Sequence, residues 1–522
     1  MQQDTPWWRE AVVYEVYPRS FADSSGDGVG DLEGIRRHLG HLAQLGVDAI
    51  WLTPFYPSPM ADHGYDVAVY DDVNPLFGDL AAFDALLAEA HERDLKVIVD
   101  IVPNHTSDEH VWFTEALADP DSSARARYVF RDGSGPDGDE PPNNWQSVFG
   151  GPAWERVPDG QWYLHLFDTK QPDLEWTNAE VHEEFRRILR FWLDRGVDGF
   201  RIDVAHSLYK HPTLADEPPR PPELGIHDDF ETHIWDHDDV LGVYEDWRRL
   251  LDGYDGDRML VGEVFLYDVA RVARYVGDDR LHQAFNFTVT RAPFEAAALR
   301  ETLEQALEHF HPGTWVLSNH DLVRHVTRFG GGALGRRRGL ALTALLFALP
   351  GSPYLYQGEE LGLDEADVAP ARRQDPIFRR TEGRLPGRDG CRTPMPWDSR
   401  APHLGFSTGE PWLPFGDDAA ALAVDRQDGD PASTLSGYRR LLAARRELLP
   451  ELPEEVRWLE LGADLLAVQR GPLVAVLNAA SEPVQAQLPE PMQLLQATAD
   501  GAGVENDSLL TVPAAATVWL CR

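Results

Sequence analysis

The sequence predicts an α/β fold, a (β/α)8 or TIM barrel, in which eight parallel strands form an inner sheet surrounded by helices. Apolar, strand-like runs alternate along the chain with amphipathic, helix-like runs, which is typical of βα units. Three of these runs end at or next to an acidic residue, and side chains at the carboxyl ends of barrel strands converge on one face. The length of 522 residues exceeds one ordinary domain and indicates a large barrel with appendages.

Eight apolar runs are candidate barrel strands, which is the number that a closed barrel needs. Two of the helices between them are predicted over residues 79–93 and 178–195, with Asn178 as the N-cap of the second helix. The candidate strands cover residues 11–18, 49–54, 96–102, 199–203, 259–264, 284–287, 314–319 and 352–358.

Two long segments interrupt this alternation. Residues 105–178 separate the third strand from its helix and are rich in Gly, Pro, Asp and aromatic residues, and an excursion over about 362–430 follows the eighth strand. Short β-like runs after Glu454 predict a small antiparallel C-terminal domain. The expected plan is a catalytic barrel of residues 1–104 and 179–454, an inserted domain of 105–178 and a β domain of 455–522.

Composition and charge limit the possible partners. The chain is 43% hydrophobic and 26% charged, which fits a globular protein with a sizeable core. Its formal charge of −40 argues against nucleic acid and anionic membranes, both of which require basic patches. Solubility explains this charge, and adaptation to salt is the alternative.

The sequence also carries expectations about location. It contains no apolar stretch long enough for a transmembrane helix, and the N-terminus MQQDTPWWRE lacks the basic and apolar regions of a signal peptide. The two cysteines, Cys391 and Cys521, lie far apart, so no disulfide framework is expected. A reducing, cytoplasmic location fits these features.

Three acidic residues are the candidate catalytic groups. Asp203 ends the run GFRID, Glu263 lies in MLVGEV and Asp321 ends TWVLSNHD. Two carboxylates that act across a glycosidic bond are the usual machinery of sugar hydrolysis. The pattern therefore predicts a carbohydrate active site at the carboxyl ends of the strands.

Several segments carry a resemblance to a known family. The runs DIVPNH, QPDLEW, GFRID, GEV and SNHD resemble motifs of the alpha-amylase superfamily of glycoside hydrolases. The runs WWREAVVYEVYPRSF, DSSGDGVGD and RTPMPWD are similar to its alpha-glucosidase and oligo-1,6-glucosidase branch. The resemblance extends over about residues 7–398 and implies that the inserted segment is the B domain of the superfamily.

The resemblance implies a role for each acidic residue. Asp203 is the expected nucleophile, Glu263 the general acid/base, and Asp321 the carboxylate that binds sugar hydroxyls and helps distort the ring. Arg201 lies two residues before Asp203, so both side chains point to the same side of the strand. We expect Arg201 to lower the pKa of Asp203, and partial desolvation to raise the pKa of Glu263.

Further residues are expected to bind the substrate. The resemblance implies that His105 and His320 contact sugar, that Asp62 binds the terminal sugar and that Tyr65 forms a stacking platform. It implies that Arg392 is the basic partner of Asp62. Such a pair would close the pocket beyond the terminal glucose and make the enzyme exo-acting, the alternative being an ordinary loop ion pair.

Two phenylalanines and one loop complete the predicted site residues. Phe149 and Phe167 are expected as aromatic walls, with a place in the B-domain core as the alternative. The run DSSGDGVGD places oxygen donors at alternate positions of a glycine-rich loop, which suits Ca²⁺ or Mg²⁺. The family carries a structural ion there, and a metal-free turn is the alternative. The expected ligands are Asp23, Ser25, Asp27, Val29 and Asp31, and no organic cofactor is expected.

The expected activity is that of an exo-acting, retaining α-glucosidase that acts on small oligosaccharides. A transglucosylase or isomerase similar to trehalose synthase is the alternative, because a sugar can replace water as acceptor. A non-enzymatic interaction subunit is disfavoured, since all three carboxylates are present. Val204 is the residue seen in oligo-1,6-glucosidases, but Ala205 and His206 differ from them, so the preference between α-1,4 and α-1,6 linkages stays open. Whether the protein is a monomer or a homodimer also stays open.

Overall fold

The computed structural model describes residues 6–218, 232–311 and 313–522. At its centre lies a sheet of eight parallel strands, and the predicted barrel is confirmed. Every observed strand is shorter than its predicted run. With strands numbered along the whole chain, those of the barrel are β1 (Val13–Val16), β2 (Ala49–Leu52), β3 (Lys96–Ile101), β7 (Gly199–Ile202), β8 (Met259–Gly262), β9 (Gln283–Ala284), β10 (Thr314–Val316) and β11 (Ser352–Tyr356).

Helices surround this sheet, and both predicted helices are confirmed. The Asp79 side chain accepts a hydrogen bond from Ala82 N at 2.8 Å, and the Asn178 side chain accepts one from Glu180 N at 2.9 Å. Such N-caps satisfy amide groups that have no partner within the helix. No helix in these ranges is long and apolar enough to cross a membrane. The helices are α1 (Pro18–Phe21), α2 (Leu32–Leu45), α3 (Leu80–Glu92), α4 (Val111–Ala118), α5 (Ala179–Arg195), α6 (Val240–Leu251), α7 (Val269–Ala273), α8 (Thr288–Arg291), α9 (Ala296–His309), α10 (His325–Arg328), α11 (Gly332–Ala348), α12 (Pro376–Arg380), α13 (Val424–Gln427) and α14 (Thr434–Leu448).

The inside of the barrel changes from apolar to polar toward the carboxyl ends of the strands. Because side chains alternate along a strand, residues two apart point the same way. Val13 belongs to the inner apolar cluster and Glu15 follows it on the same side, as Asp100 follows Ile98. The carboxyl end of the barrel therefore carries a buried layer of charged side chains.

The inserted and C-terminal segments form antiparallel sheets. A three-stranded sheet lies between β3 and α5, in the order β4-β6-β5. Beyond α14 lie a five-stranded sheet, ordered β12-β13-β14-β19-β16, and a three-stranded sheet, ordered β15-β18-β17, which confirm the C-terminal β domain. The domain limits drawn from the sequence stay predictions. The strands are β4 (Phe130–Asp132), β5 (Trp154–Arg156), β6 (Gln161–Leu164), β12 (Arg457–Leu459), β13 (Leu465–Arg470), β14 (Leu473–Asn478), β15 (Val484–Gln487), β16 (Gln493–Ala497), β17 (Gly503–Glu505), β18 (Leu509–Val512) and β19 (Ala516–Cys521).

A side chain, not a backbone ladder, joins the two ends of the barrel sheet. Strands β9 and β10 are the end strands of the sheet and are not paired with each other. The buried Thr314 hydroxyl donates a hydrogen bond to Ala284 O at 2.6 Å and accepts one from Asn286 N at 3.1 Å. This hydroxyl therefore bridges the seam of the barrel.

We predict that Thr314→Val destabilises the barrel, because it leaves a buried carbonyl and a buried amide without their partner. The expected cost is about 1–3 kcal/mol in the free energy of unfolding, visible as a lower melting temperature. Thr314→Ser is the control, since it keeps the hydroxyl. Equal melting temperatures for the Val and Ser variants would show that the bridge does not stabilise the barrel.

Candidate active site

The three predicted catalytic residues lie around one cavity at the carboxyl ends of the strands. Asp203 directly follows β7 and Glu263 directly follows β8. Asp321 instead lies in a loop beyond β10, where Asn319 Oδ1 accepts a hydrogen bond from its amide at 3.0 Å. The cavity has a volume of about 360 Å³, within the range of small-molecule sites. Eight predicted residues line it, namely Asp62, Tyr65, His105, Phe149, Phe167, Asp203, Glu263 and Asp321.

A single buried guanidinium holds two of the three predicted catalytic carboxylates together. Arg201 Nη1 lies 2.8 Å from Asp203 Oδ1, and Arg201 Nη2 lies 2.7 Å from Glu263 Oε2. Nη1 also lies 3.0 Å from Asp100 Oδ1, and Arg201 is inaccessible to solvent. Three carboxylates thus share one cation, so the cluster carries more negative than positive charge when all are ionised.

Burial dominates the proton affinities of this cluster. It raises the pKa of Asp203 well above the usual value, and the charge of Arg201 acts in the opposite direction. The expected lowering by Arg201 is therefore present but outweighed. Burial likewise raises the pKa of Glu263, as predicted, and that of Asp100 to about 7. Glu263 is thereby suited to hold a proton near neutral pH.

Asp321 has the opposite electrostatic environment. Arg388 Nη1 lies 3.0 Å and Arg392 Nη2 lies 2.7 Å from its Oδ1 atom. Although burial acts to raise the pKa of Asp321, the charged guanidiniums of Arg388 and Arg392 lower it well below the usual value. Asp321 is therefore ionised and ready to accept hydrogen bonds.

The predicted pairing of Asp62 with Arg392 is wrong. Arg388 is the partner, with its Nη2 atom 2.7 Å from Asp62 Oδ1. Arg392 lies behind the cavity wall, where it is fully buried and donates to His320 O at 2.8 Å as well as to Asp321. Both arginines belong to one irregular segment, in which only the structure shows which one faces the cavity. Burial raises the pKa of Asp62 to about 6, against the effect of Arg388.

The two predicted histidines have different positions. His105 lines the cavity, and its Nε2 atom lies 3.2 Å from Tyr65 O and 3.1 Å from Gln171 Nε2. His320 lies behind the cavity, with its ring stacked on Tyr17 and Tyr65 at centroid distances of 5.7 and 5.3 Å. Burial lowers the pKa of His105 to about 4 and that of His320 well below its usual value. Both imidazoles are neutral.

Aromatic rings form one side of the cavity. Phe149 and Phe167 both line it and meet edge to face at a centroid distance of 5.5 Å. The Arg388 guanidinium lies 4.9 Å from the centre of the Phe149 ring, which connects this wall to Asp62. Phe149 is also buried. It therefore forms part of the cavity wall, as predicted, and is buried like a core residue, as the alternative expected.

Several residues of the site were not predicted. Gln171 Nε2 lies 3.1 Å from Asp62 Oδ2, and it stands in the motif QPDLEW. Arg388 stands just before the motif RTPMPWD, so a position in or beside a motif was the available signal for both residues. Apart from Val204, which the family resemblance singled out, no sequence pattern indicated the apolar residues that complete the lining. They are Val148, Val204, Phe265, Tyr267, Leu322 and Ile377.

The backbone after the expected nucleophile is strained. Val204 has a φ of 35°, a left-handed conformation that is unfavourable for a β-branched residue. Its amide donates a hydrogen bond to Glu263 Oε2 at 3.1 Å. The strained turn thus connects the segment of Asp203 to Glu263, and such strain concentrates at functional sites.

The predicted metal loop is held by its own hydrogen bonds. Asp23 accepts from the amides of Gly26 at 2.7 Å and Gly28 at 2.8 Å. Asp31 caps α2 by accepting from Gly34 N at 2.6 Å. Across residues 6–218, 232–311 and 313–522, no group of three acidic, His or Cys side chains is arranged to hold a metal ion. The expected ion, for which Ser25 and Val29 are also predicted ligands, stays a prediction.

Comparison with known proteins defines the class of the molecule. The family description "Alpha amylase, catalytic domain" matches residues 15–452. The barrel and its acidic cavity are therefore those of the alpha-amylase family, to which the chain belongs.

Individual relatives narrow this assignment. A probable alpha-glucosidase of Rhizobium meliloti is 40% identical over 94% of this chain and 92% of its own. An oligo-1,6-glucosidase of Heyndrickxia coagulans is 38% identical over 84% and 85%. The solved structure of the alpha-glucosyl transfer enzyme XgtA has a TM-score of 0.93 and 40% identity, covering 99% of this chain and 100% of the other. The chain thus lies in the glucosidase branch of the family.

We predict that Arg201→Met destabilises the fold strongly, because it leaves three buried carboxylates without a cation. The expected loss is about 3–5 kcal/mol in the free energy of unfolding, measured by denaturant titration at neutral pH. Arg195→Met is the control, since Arg195 pairs with Asp84 at the surface and its loss should cost less than about 1 kcal/mol. Similar losses for both variants would contradict the central role of Arg201.

Proposed function

We propose that the protein is an exo-acting, retaining α-glucosidase that releases α-glucose from the non-reducing ends of short α-glucosides. The ion pair between Asp62 and Arg388, at 2.7 Å beside the catalytic carboxylates, is the observation that carries this proposal. Both residues line the cavity, and Phe149 and Gln171 contact them. A cavity closed in this way accepts the end of a sugar chain and excludes its middle.

The arrangement of Asp203 and Glu263 supports the retaining mechanism. Asp203 attacks the anomeric carbon while Glu263 donates its proton to the departing glycosidic oxygen. Glu263 then removes a proton from the water that hydrolyses the glycosyl-enzyme. Retaining enzymes place the two carboxyl groups only about 5–5.5 Å apart. Attachment of both groups to one guanidinium favours such a short separation.

The surrounding residues are suited to hold a glucose ring. Ionised Asp321 can accept hydrogen bonds from two hydroxyls, and these bonds strengthen as charge develops on the ring. Neutral His105 can donate or accept one hydrogen bond. The Tyr65 ring is supported from behind by His320, with only 10° between the two ring planes, and it presents a flat stacking face.

Transglucosylation is a second candidate function. The similarity to the alpha-glucosyl transfer enzyme XgtA, at a TM-score of 0.93, favours it. The same glycosyl-enzyme serves both reactions, and the acceptor decides between them. Trisaccharides formed at high maltose concentration would identify transfer, whereas glucose as the only product would identify hydrolysis.

We predict that Asp203→Asn lowers turnover of every α-glucoside by at least about 10³-fold, because an amide does not attack the anomeric carbon.

The effect of Glu263→Gln should depend on the leaving group of the substrate. The substitution should slow maltose cleavage by about 10²–10⁴-fold and affect glycosylation by an activated aryl α-glucoside much less. Steady-state and burst kinetics with both substrates measure this difference. Equal losses for good and poor leaving groups would argue against the acid role.

We predict that glucose is the only early product from maltotriose, and that starch is a poor substrate. Asp62→Ala should raise KM and lower kcat together, because Asp62 orients the ring through the transition state. Asp84→Ala, which removes a surface ion pair, is the matched control. Chromatography identifies the early products. Release of maltose from the interior of amylose would show an open cleft and would contradict the proposal.

A further inference from the structure

A buried carboxylate behind the cavity has no part in the chemistry described above. Asp375 is fully buried and does not line the cavity. Its Oδ2 atom accepts hydrogen bonds from Arg388 Nε at 2.7 Å and from Arg388 N at 3.1 Å. It therefore binds the backbone and the guanidinium of the same arginine.

The Arg388 guanidinium uses each of its three nitrogens on a different carboxylate. Nη2 binds Asp62 at 2.7 Å, Nη1 binds Asp321 at 3.0 Å and Nε binds Asp375 at 2.7 Å. Asp62 and Asp321 face the cavity, where sugar hydroxyls compete with Arg388 for their oxygens. Asp375 is shielded from that competition, so its contact with Arg388 does not depend on the substrate.

Asp375 is itself fixed by its surroundings. Its Oδ1 atom accepts from Ile377 N at 2.7 Å and caps α12, and its own amide donates to Asp389 Oδ2 at 3.1 Å. A Cβ atom at Gly387, which has a φ of 72°, would lie 2.7 Å from the Asp375 Cβ atom. Only glycine permits this close approach of the two segments, which places the Arg388 backbone against Asp375.

We propose that Asp375 is a positioning residue that holds the Arg388 guanidinium at the closed end of the cavity. This proposal rests on the proposed function. When a terminal sugar engages Asp62 and Asp321, the contact with Asp375 keeps Arg388 in place, and the end of the cavity stays closed. Without Asp375, the carboxylates that still bind the guanidinium are the two that the sugar also uses. The sugar should then bind more weakly in the ground state, and its ring should be less well oriented.

A double-mutant cycle on the full-length protein tests this role. Asp375→Asn keeps the size of the side chain and an acceptor for Ile377 N, but it removes the charge that binds Arg388. We expect it to lower kcat/KM for the best α-glucoside by about 10- to 100-fold, the range for a buried charged hydrogen bond. In an Arg388→Met background, the same change should lower kcat/KM by less than about 3-fold, because residues that act as a unit are not additive.

Two further variants separate positioning from folding. Asp79→Asn changes the cap of α3 and should leave kcat/KM within about 2-fold. If Asp375→Asn does not fold, Asp375→Ser replaces it, since serine also caps helices. An inhibition constant for glucose that rises with Asp375→Asn, at an unchanged melting temperature, supports positioning.

The outcomes distinguish the inference from the proposed function. If the losses in kcat/KM from Asp375→Asn and Arg388→Met multiply in the double variant, the two residues act independently. That result would overturn the positioning role, while the activity of the wild-type protein would still support the proposed function. An effect of Asp375→Asn smaller than about 2-fold would do the same. A folded wild-type protein that hydrolyses no α-glucoside would overturn the proposed function and the inference that rests on it.

Discussion

The burial of the Arg201 guanidinium among Asp100, Asp203 and Glu263 is the constraint on which the rest of the site depends. A buried charge is tolerated only when it is paired, and removing one partner leaves the others uncompensated. Arg201 points into the barrel from β7, and its guanidinium lies 5.0 Å from the centre of the Trp51 ring. Strands β3, β7 and β8, which are neighbours in the sheet, must therefore pair correctly before the cluster is neutralised, and this couples the pairing of these strands to formation of the site.

A second cluster has a different task. Arg388 joins Asp62, Asp321 and Asp375, which come from three separate regions of the chain. In the proposed function, Arg201 sets the charge around the reacting bond, whereas Arg388 sets where the cavity ends. The carboxylates of the two clusters differ in proton affinity. The pKa values of Asp203 and Glu263 are raised, whereas that of Asp321 is lowered. Under the proposed function, one cation therefore serves the chemistry and the other limits the length of the substrate.

The sequence was most informative where residues that are close in the chain are also close in space. The alternation of apolar runs predicted all eight strands, and Asp203 and Glu263 lie directly after two of them. Asp321 was placed just beyond a candidate strand of residues 314–319, but β10 already ends at Val316, and the residues that follow it form a loop. The choice between Arg388 and Arg392 depends on the path of an irregular segment after β11. No periodicity encodes that path, so only the structure resolved it.

Anomeric configuration is the most direct test of the account, because retention requires that Asp203 and Glu263 act as the adjacent pair that Arg201 creates. Proton NMR can follow the first glucose released from an α-glucoside before mutarotation mixes the anomers. We expect α-glucose to form first, since two inversions at the anomeric carbon give net retention. Initial release of β-glucose would mean a single inversion by water and would contradict the proposed role of Asp203.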